Sequence, residues 1–514
     1  DPALACPELD ETVIDLFGLA DPDAIELEQR AQAADACFKR LRDLGIDPTQ
    51  YNTETIAADI EALRQALGYQ QLNLFGLSYS TRLALHYART YPASTRALVL
   101  DSVVPPDVNQ YETHIDGFQR SFTYLASQCT DQLDACDETL AANFQQAVER
   151  LNTNPAEVEI LHPLTGEPFT FRVTGYDFAA GVFQALYHRA TIEITPYLIE
   201  QVAAGNNAVL SPLAQSGAED VLGGEWGLFY AIQCMDEYPF NNAERVVLDR
   251  NRIPFLPEWH TQIYGSDQAV CTRLKLPPTQ DSFRQPVEVN MPVIILAGSY
   301  DPITPPAWAE QVAANLPAAY LYTFPSASHV VYFEDTCAQA LVVAFLDDPT
   351  RMPADCSKNG DSLQFVASND ILSTRAFYRL NTVLDQPKLL VTLILPFIGL
   401  SFFLVQILHS LVSLVQRNQA SPAYWLATLI AVTGIAIVVM LILISSDTRE
   451  IILGFGLPAS GIGVGLLLLV QIVLILALMM TQFRRVKQSA NIYLSVFTVV
   501  STAFVGWLVW MHLY

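Results

Sequence analysis

The chain has 514 residues, of which 51% are hydrophobic and only 16% charged. That is too apolar for one ordinary soluble domain and long enough for more than one. The net charge is −25; six basic and two acidic residues from Lys388 onward carry +4, which leaves −29 on residues 1–387. So acidic a surface argues against nucleic acid or an anionic membrane face as partner, and its simplest reading is that it keeps this part soluble.

In chain order, Ile56, Ile60, Leu63 and Leu67 repeat at helical spacing and predict a helix over 54–69. A short apolar strand, 72–75, leads through a sharp turn into a helix at 81–90, which ends before Tyr91-Pro92. Residues 97–100 form the next strand. Residues 107–285 read as a long, mainly helical insertion with Pro, Asn and Gly breaks, a cap or lid between strands. Strand signals return at 293–296. A helix at 306–315, a strand at 319–323 and a closing helix at 336–346 follow. Strands alternating with helices imply a parallel sheet covered on both faces. Residues 357–387 form a polar connector, in which 371–384 has the pattern of an amphipathic helix.

Four uncharged apolar stretches follow, at about 389–415, 423–446, 451–480 and 491–513. Each is long enough to cross a hydrocarbon core. The loops set an orientation. Arg484, Arg485 and Lys487 share one side with Arg417, whereas Asp447, Arg449 and Glu450 lie on the other. The basic side is expected to be cytoplasmic, which puts residues 1–387 outside. Eight cysteines, all before the apolar region, agree with an oxidising compartment. Pairing in sequence order (6–37, 129–136, 234–271, 337–356) is the simplest expectation, and eight buried thiols are the alternative. No Cys-x-x-Cys or zinc-finger spacing occurs, so neither a metal nor a cofactor is expected.

The chemistry centres on Gly76-Leu77-Ser78-Tyr79-Ser80, between a strand and a helix. Such a turn pushes a serine hydroxyl outward, and the Tyr79 backbone N–H at the helix start can receive an oxyanion. An ordinary serine N-cap is the bland reading of the pentapeptide alone. Asp301 follows the 293–296 strand, and His329 follows the next one. An acid just past a strand can orient a histidine and stabilise its imidazolium, and the order Ser, Asp, His is that of an α/β-hydrolase. Asp101 is a rival acid for which a structural role is expected, and His86 reads as a packing residue.

With these residues in place the sequence resembles the tripeptidyl aminopeptidase-like branch of α/β-hydrolases, in the prolyl-aminopeptidase clan of serine peptidases. The resemblance rests on GLSYSTRLALHYARTYP and LVLDSVVPP within 53–106, and on MPVIILAGSYDPITPP and SASHVV within 291–356. Cys337 and Cys356 bracket a closing helix as in the family, and Ala231 to Asp236 resembles its cap segment. The resemblance implies an exported enzyme that releases short peptides from free N-termini, with some members cleaving esters. It also implies that cap acids, here Asp236 and Glu237, can bind the substrate's α-amino group; surface acids are the equal alternative. Two departures stand out. Ser80 replaces the family's usual glycine. No Gly-Gly-Pro-Gly-type oxyanion loop precedes Ser78, so the chain is expected to be a piece lacking the first strands. The membrane stretches lie outside the family's usual pattern.

The expected architecture is therefore an α/β fold of the α/β-hydrolase type, N-terminally truncated. It comprises a core (1–106 and 286–356), a helical cap (107–285), a connector (357–387) and four transmembrane helices (388–514). The expected function is that of a multi-pass, membrane-anchored serine hydrolase with an extracytoplasmic catalytic domain, an exopeptidase using Ser78, Asp301 and His329 on peptide substrates. The alternatives are an esterase or lipase with the same residues, and a catalytically inactive receptor or scaffold. The bilayer is an expected partner, nucleic acid is not, and any membrane-protein partner is unknown.

Overall fold

The computed structural model describes residues 4–16, 23–130, 132–133, 136, 139–220, 224–253, 255–256, 265–360, 362–385, 390–416, 421–484 and 492–511. In the first part α1 (Pro7–Leu16), α2 (Asp23–Asp43) and α3 (Thr53–Ala66) precede β1 (Leu72–Leu77), α4 (Tyr79–Thr90) and β2 (Thr95–Asp101). The insertion runs through α5 (His114–Thr130), α6 (Thr139–Thr153), β3 (Ala156–Leu161), β4 (Pro168–Val173), α7 (Gly175–Ala185), α8 (Arg189–Ala203) and α9 (Leu210–Asp220). It ends with α10 (Trp226–Ile232), α11 (Ala243–Arg250) and α12 (Ser266–Leu274). The alternation resumes with β5 (Val293–Gly298), α13 (Pro306–Ala314), β6 (Ala319–Phe324), α14 (Val331–Glu334) and α15 (Thr336–Asp347).

Strands β1, β2, β5 and β6 form one parallel sheet in the order β1-β2-β5-β6. The period of two in a strand divides the apolar runs between the sheet's faces. Leu98, Leu100, Val293 and Ile295 meet α4 and α13 through Leu85, Ala88, Ala309 and Val312. Ala97, Val99, Ile294 and Leu296 meet α15 through Ala338, Leu341, Val342 and Phe345. Burial on both faces explains why β5 is apolar at every position rather than alternating. Because all four strands run the same way, their carboxyl ends share one edge, and the loops that follow β1, β5 and β6 converge there.

The insertion is mainly helical, as expected, with one exception. Strands β3 and β4 form an antiparallel hairpin. Val158 and Ile160 point inward while Glu157 and Glu159 are exposed, and this period of two outweighs the helical surroundings. The α1–α2 pair packs on α12 through a core that includes Phe38, Leu41, Tyr230, Val270 and Leu274. Four disulfides join Cys6–Cys37, Cys129–Cys136, Cys234–Cys271 and Cys337–Cys356, the pairing expected from sequence order.

The chain divides into two compact units, Asp1–Phe365 and Val366–Tyr514. The second unit contains β7 (Ile371–Ser373), α16 (Ala376–Asp385), α17 (Ile394–Val415), α18 (Pro422–Asp447), α19 (Glu450–Phe455), β8 (Gly456–Pro458), α20 (Ile462–Arg484) and α21 (Ile492–Trp510). Four segments, Leu390–Val415, Pro422–Ser446, Ala459–Phe483 and Ile492–Trp510, are long and apolar enough to cross a membrane. Two expectations are corrected here. The third stretch is not one helix over 451–480, because Gly456-Leu457-Pro458 breaks it. The connector helix begins only at Ala376, because Ile371–Ser373 pairs antiparallel with that break. The pairing supplies main-chain partners that an interrupted apolar helix otherwise lacks. Within the bundle Gln406, fully buried, bonds the Tyr424 carbonyl, Ser410, Thr428 and the Tyr493 hydroxyl. Its polarity thus serves helix packing. Arg417, Arg485 and Lys487, on which the expected orientation partly rests, lie outside the described residues.

Candidate active site

Ser78 ends the turn from β1 into α4 with φ 55° and ψ −127°. A serine rarely adopts that region, and holding it there costs on the order of 1–3 kcal/mol. The turn is locked from both sides. Ser78 N–H donates to the Asp101 carbonyl at 3.0 Å, and its own carbonyl accepts from Thr81 N–H at 2.9 Å. Ser80 Oγ accepts from Leu77 N–H and donates to Leu77 O, both at 2.7 Å. The residue that departs from the family's glycine therefore ties the turn instead of straining it. Among the described residues Ser78 Oγ makes no hydrogen bond, and Ser78 is partly exposed. The Tyr79 backbone N–H, first in α4, meets no carbonyl there either.

Asp301 and His329 are brought together by the loops after β5 and β6. Gly298 permits the approach, since a Cβ there would lie 2.1 Å from the Ser328 carbonyl oxygen. Asp301 is fully buried. Its Oδ1 accepts from Ile303 N–H at 2.9 Å and Thr304 N–H at 2.7 Å. Its Oδ2 accepts from Thr304 Oγ1 at 2.5 Å and lies 2.8 Å from His329 Nδ1. Burial alone would raise the Asp301 carboxyl; the charge and hydrogen bond of His329, with the Thr304 donors, hold it below the usual range. Burial alone would lower the His329 imidazolium; the Asp301 charge and hydrogen bond, with Asp101 and Glu334 behind, raise it above its ordinary value. With Nδ1 occupied, Nε2 is the ring nitrogen left for a substrate or a nucleophile. No hydrogen bond joins Nε2 to Ser78 Oγ among the described residues. In sites of this kind that contact often tightens only around substrate.

Asp101 does not compete for the histidine. Its buried carboxylate accepts from Val331 N–H at 3.0 Å and Tyr332 N–H at 2.8 Å, capping α14. Burial pushes it up to about 6 despite those bonds. His86 is buried against Phe283, with Nδ1 3.0 Å from Arg89, and burial followed by the Arg89 charge lowers it to about 4. Both are structural, as expected.

The two cap acids are not at the surface: Asp236 is 0% and Glu237 2% exposed. Glu237 Oε2 receives Arg82 at 2.7 Å and Arg284 at 3.1 Å, and Oε1 receives Gln110 N–H at 2.6 Å and Asn241 at 3.1 Å. This corrects the expectation for Glu237, because a carboxylate neutralised by two guanidiniums has no capacity left for an ammonium. Asp236 differs. Its Oδ2 accepts from Thr53 N–H at 2.9 Å and Thr53 Oγ1 at 2.6 Å, and Thr53 Oγ1 lies 2.6 Å from the Tyr79 hydroxyl. Its Oδ1 is buried with no hydrogen-bond partner, and burial raises its pKa against the Thr53 bonds.

Sequence reasoning missed Thr304, Thr53, Arg82 and Arg284. Thr304 alone had a local signal, because an Asp side chain commonly accepts from the backbone N–H groups that follow it in a turn. It also missed Tyr187 of the cap, whose ring stands 5.1 Å from the His329 ring and whose carbonyl accepts His329 N–H at 3.2 Å.

Comparison with known proteins bears on the fold. Residues 30–128 match the family model of the alpha/beta hydrolase fold, and residues 256–357 match that of TAP-like protein. The chain has the α/β-hydrolase fold. It is 27% identical over 321 residues to serine protease Hip1 of Mycobacterium tuberculosis (strain ATCC 25618 / H37Rv), covering 59% of the chain and 60% of that protein. It is 36% identical over 106 residues to a tripeptidyl aminopeptidase of Streptomyces lividans, 19% of each. It is 28% identical over 316 residues to carboxylesterase B of Mycobacterium tuberculosis (strain CDC 1551 / Oshkosh), 59% of each. The chain spans about 60% of the length of the serine protease relatives it matches.

Proposed function

We propose that the chain is a membrane-anchored serine hydrolase acting on the extracytoplasmic side, with Ser78 as nucleophile, His329 as base and Asp301 as the acid that orients it. Ser78 Oγ attacks the scissile carbonyl. His329 Nε2 takes the hydroxyl proton and delivers it to the leaving group, and Asp301 stabilises the imidazolium that forms between the two steps. The Tyr79 N–H faces the developing oxyanion at the start of α4. Water then cleaves the acyl-enzyme. The observation that carries this reading is the coincidence of two independent signs at one sheet edge. Ser78 is held at positive φ with its hydroxyl unbonded, and His329 Nδ1 sits 2.8 Å from a buried Asp301 carboxylate.

The preferred reaction in this reading is release of short peptides or residues from free N-termini. The serine protease and aminopeptidase relatives favour it. Asp236 Oδ1, unpartnered in the interior beside the Ser78 turn, is the acid available to an α-ammonium. The four disulfides favour an oxidising compartment for this unit. Ester hydrolysis by the same residues is the second reading, favoured by the carboxylesterase relative. Tripeptide p-nitroanilides with free and acetylated N-termini separate them. The peptidase reading expects turnover only of the free form, with Asp236→Asn raising KM for it. Equal turnover of both forms, or of simple p-nitrophenyl esters alone, would overturn it.

A further inference from the structure

Helix α5 presents one face to the Asp301 loop, through residues 117, 120, 121 and 124, spaced three and four apart. Gly117 gives the closest approach: a Cβ there would lie 2.4 Å from the Pro302 carbonyl oxygen. Arg120 Nη1 donates to the Ser299 carbonyl at 2.8 Å, and Nη2 donates to the Asp301 carbonyl. Ser121 Oγ donates to the Tyr300 carbonyl. The Tyr124 ring packs edge-on against Tyr300 at 4.7 Å, and its hydroxyl donates to the Pro325 carbonyl at 3.2 Å. Three consecutive loop carbonyls are thus taken by two consecutive residues of one helix. On the loop's other side, Ser299 N–H donates to Phe324 O at 3.0 Å and Tyr300 N–H to Ala327 O at 3.1 Å. The loop is held from both flanks, by β6 and by the cap.

Arg120 makes no ion pair with any carboxylate among the described residues. A half-buried guanidinium is an expensive way to bond two carbonyls, since a neutral donor would serve. Its charge lies against the backbone of the residue whose carboxylate is fully buried beside His329. Taking the role of Asp301 set out above as given, we propose that Arg120 is a positioning residue of the reaction. It clamps the Asp301 loop to the cap and so keeps the Asp301 carboxylate aligned on His329 Nδ1. The cap then contributes to catalysis through α5 as well as through any contact with substrate.

A pH profile reads this role. The titratable and charged groups around the imidazole are Asp301, Asp101, Glu334 and the Tyr187 hydroxyl. Those around Arg120 are Asp301, Asp116 and Tyr124. When the loop slackens, Asp301 no longer counters burial at His329, so the imidazole pKa falls. The test uses the full chain in detergent, with p-nitrophenyl butyrate and a tripeptide p-nitroanilide, on wild type, Arg120→Met, Arg120→Lys and Ser121→Ala. Arg120→Met is expected to lower kcat about tenfold or more with KM within about twofold. The acidic limb of kcat/KM should fall by about half a pH unit or more. Arg120→Lys, which keeps charge and donors, should recover most of kcat, and Ser121→Ala should shift the limb in the same direction to a smaller extent. A folded Arg120→Met with the kcat and limb of wild type overturns the proposal, as does a loss confined to KM. If Arg120→Met does not fold, an unmoved limb in Ser121→Ala overturns it. A wild type inactive on both substrates fails the hydrolase reading itself. An active wild type with unmoved variants fails only the role of Arg120.

Discussion

Glu237→Gln separates an ion cluster from an ammonium site. The substitution keeps the shape of the side chain and removes one charge. It leaves Arg82 and Arg284, 2% and 8% exposed at the side chain, facing each other across a neutral amide. The Gln110 N–H and Asn241 also lose an ionised acceptor. Breaking a buried pair by removing one partner costs about 3–5 kcal/mol, because the charge left behind is neither solvated nor neutralised. Here two guanidiniums are left, so the upper part of that range is expected. Burial works to raise the Glu237 carboxyl, yet the Arg82 and Arg284 charges hold it below its ordinary value. The carboxylate is therefore ionised throughout the working range, and its loss is felt at every neutral pH. Urea denaturation of the purified full chain, followed by tryptophan fluorescence, measures the effect. A double-mutant cycle with Arg82→Met should show strong coupling, since removing one guanidinium relieves part of the imbalance. A Glu237→Gln variant within about 1 kcal/mol of wild type would refute the reasoning. So would unchanged stability together with a raised KM for peptides with free N-termini.

Two further outcomes follow from the site. The base must be neutral to accept a proton, and Asp301 holds the His329 imidazolium above 6.5, so kcat/KM should rise through an ionisation above pH 6.5; a rise centred well below 6 would contradict the Asp301–His329 pairing. Gly298→Ala puts a methyl 2.1 Å from one backbone oxygen and 2.7 Å from another, so the β5 and β6 loops must part. Stability should fall by about 1–3 kcal/mol and turnover further still, and wild-type turnover in that variant would show that the close approach is not needed.

The order Ser78, Asp301, His329 was legible because each residue follows an apolar strand, and parallel strands deliver their loops to one edge. The disulfide pairs were legible because each cysteine pairs with the next in sequence, 7 to 37 residues away. The fate of Glu237 was not. Its partners Arg82 and Arg284 are 155 and 47 residues away in sequence, and nothing local distinguishes a buried acid between guanidiniums from an exposed one. The β3–β4 hairpin carried its alternation openly, but helical segments on both sides masked it. The interruption of the third membrane stretch was hidden because Gly456, Leu457 and Pro458 continue an apolar run, and hydropathy does not register the loss of main-chain hydrogen bonds.

The most direct test of the account is fluorophosphonate labelling of the full-length chain in membranes, beside Ser78→Ala and His329→Ala. The account predicts a labelled wild type and the loss of labelling in both variants. A folded wild type that resists the probe, or a Ser78→Ala variant that still reacts, would contradict it.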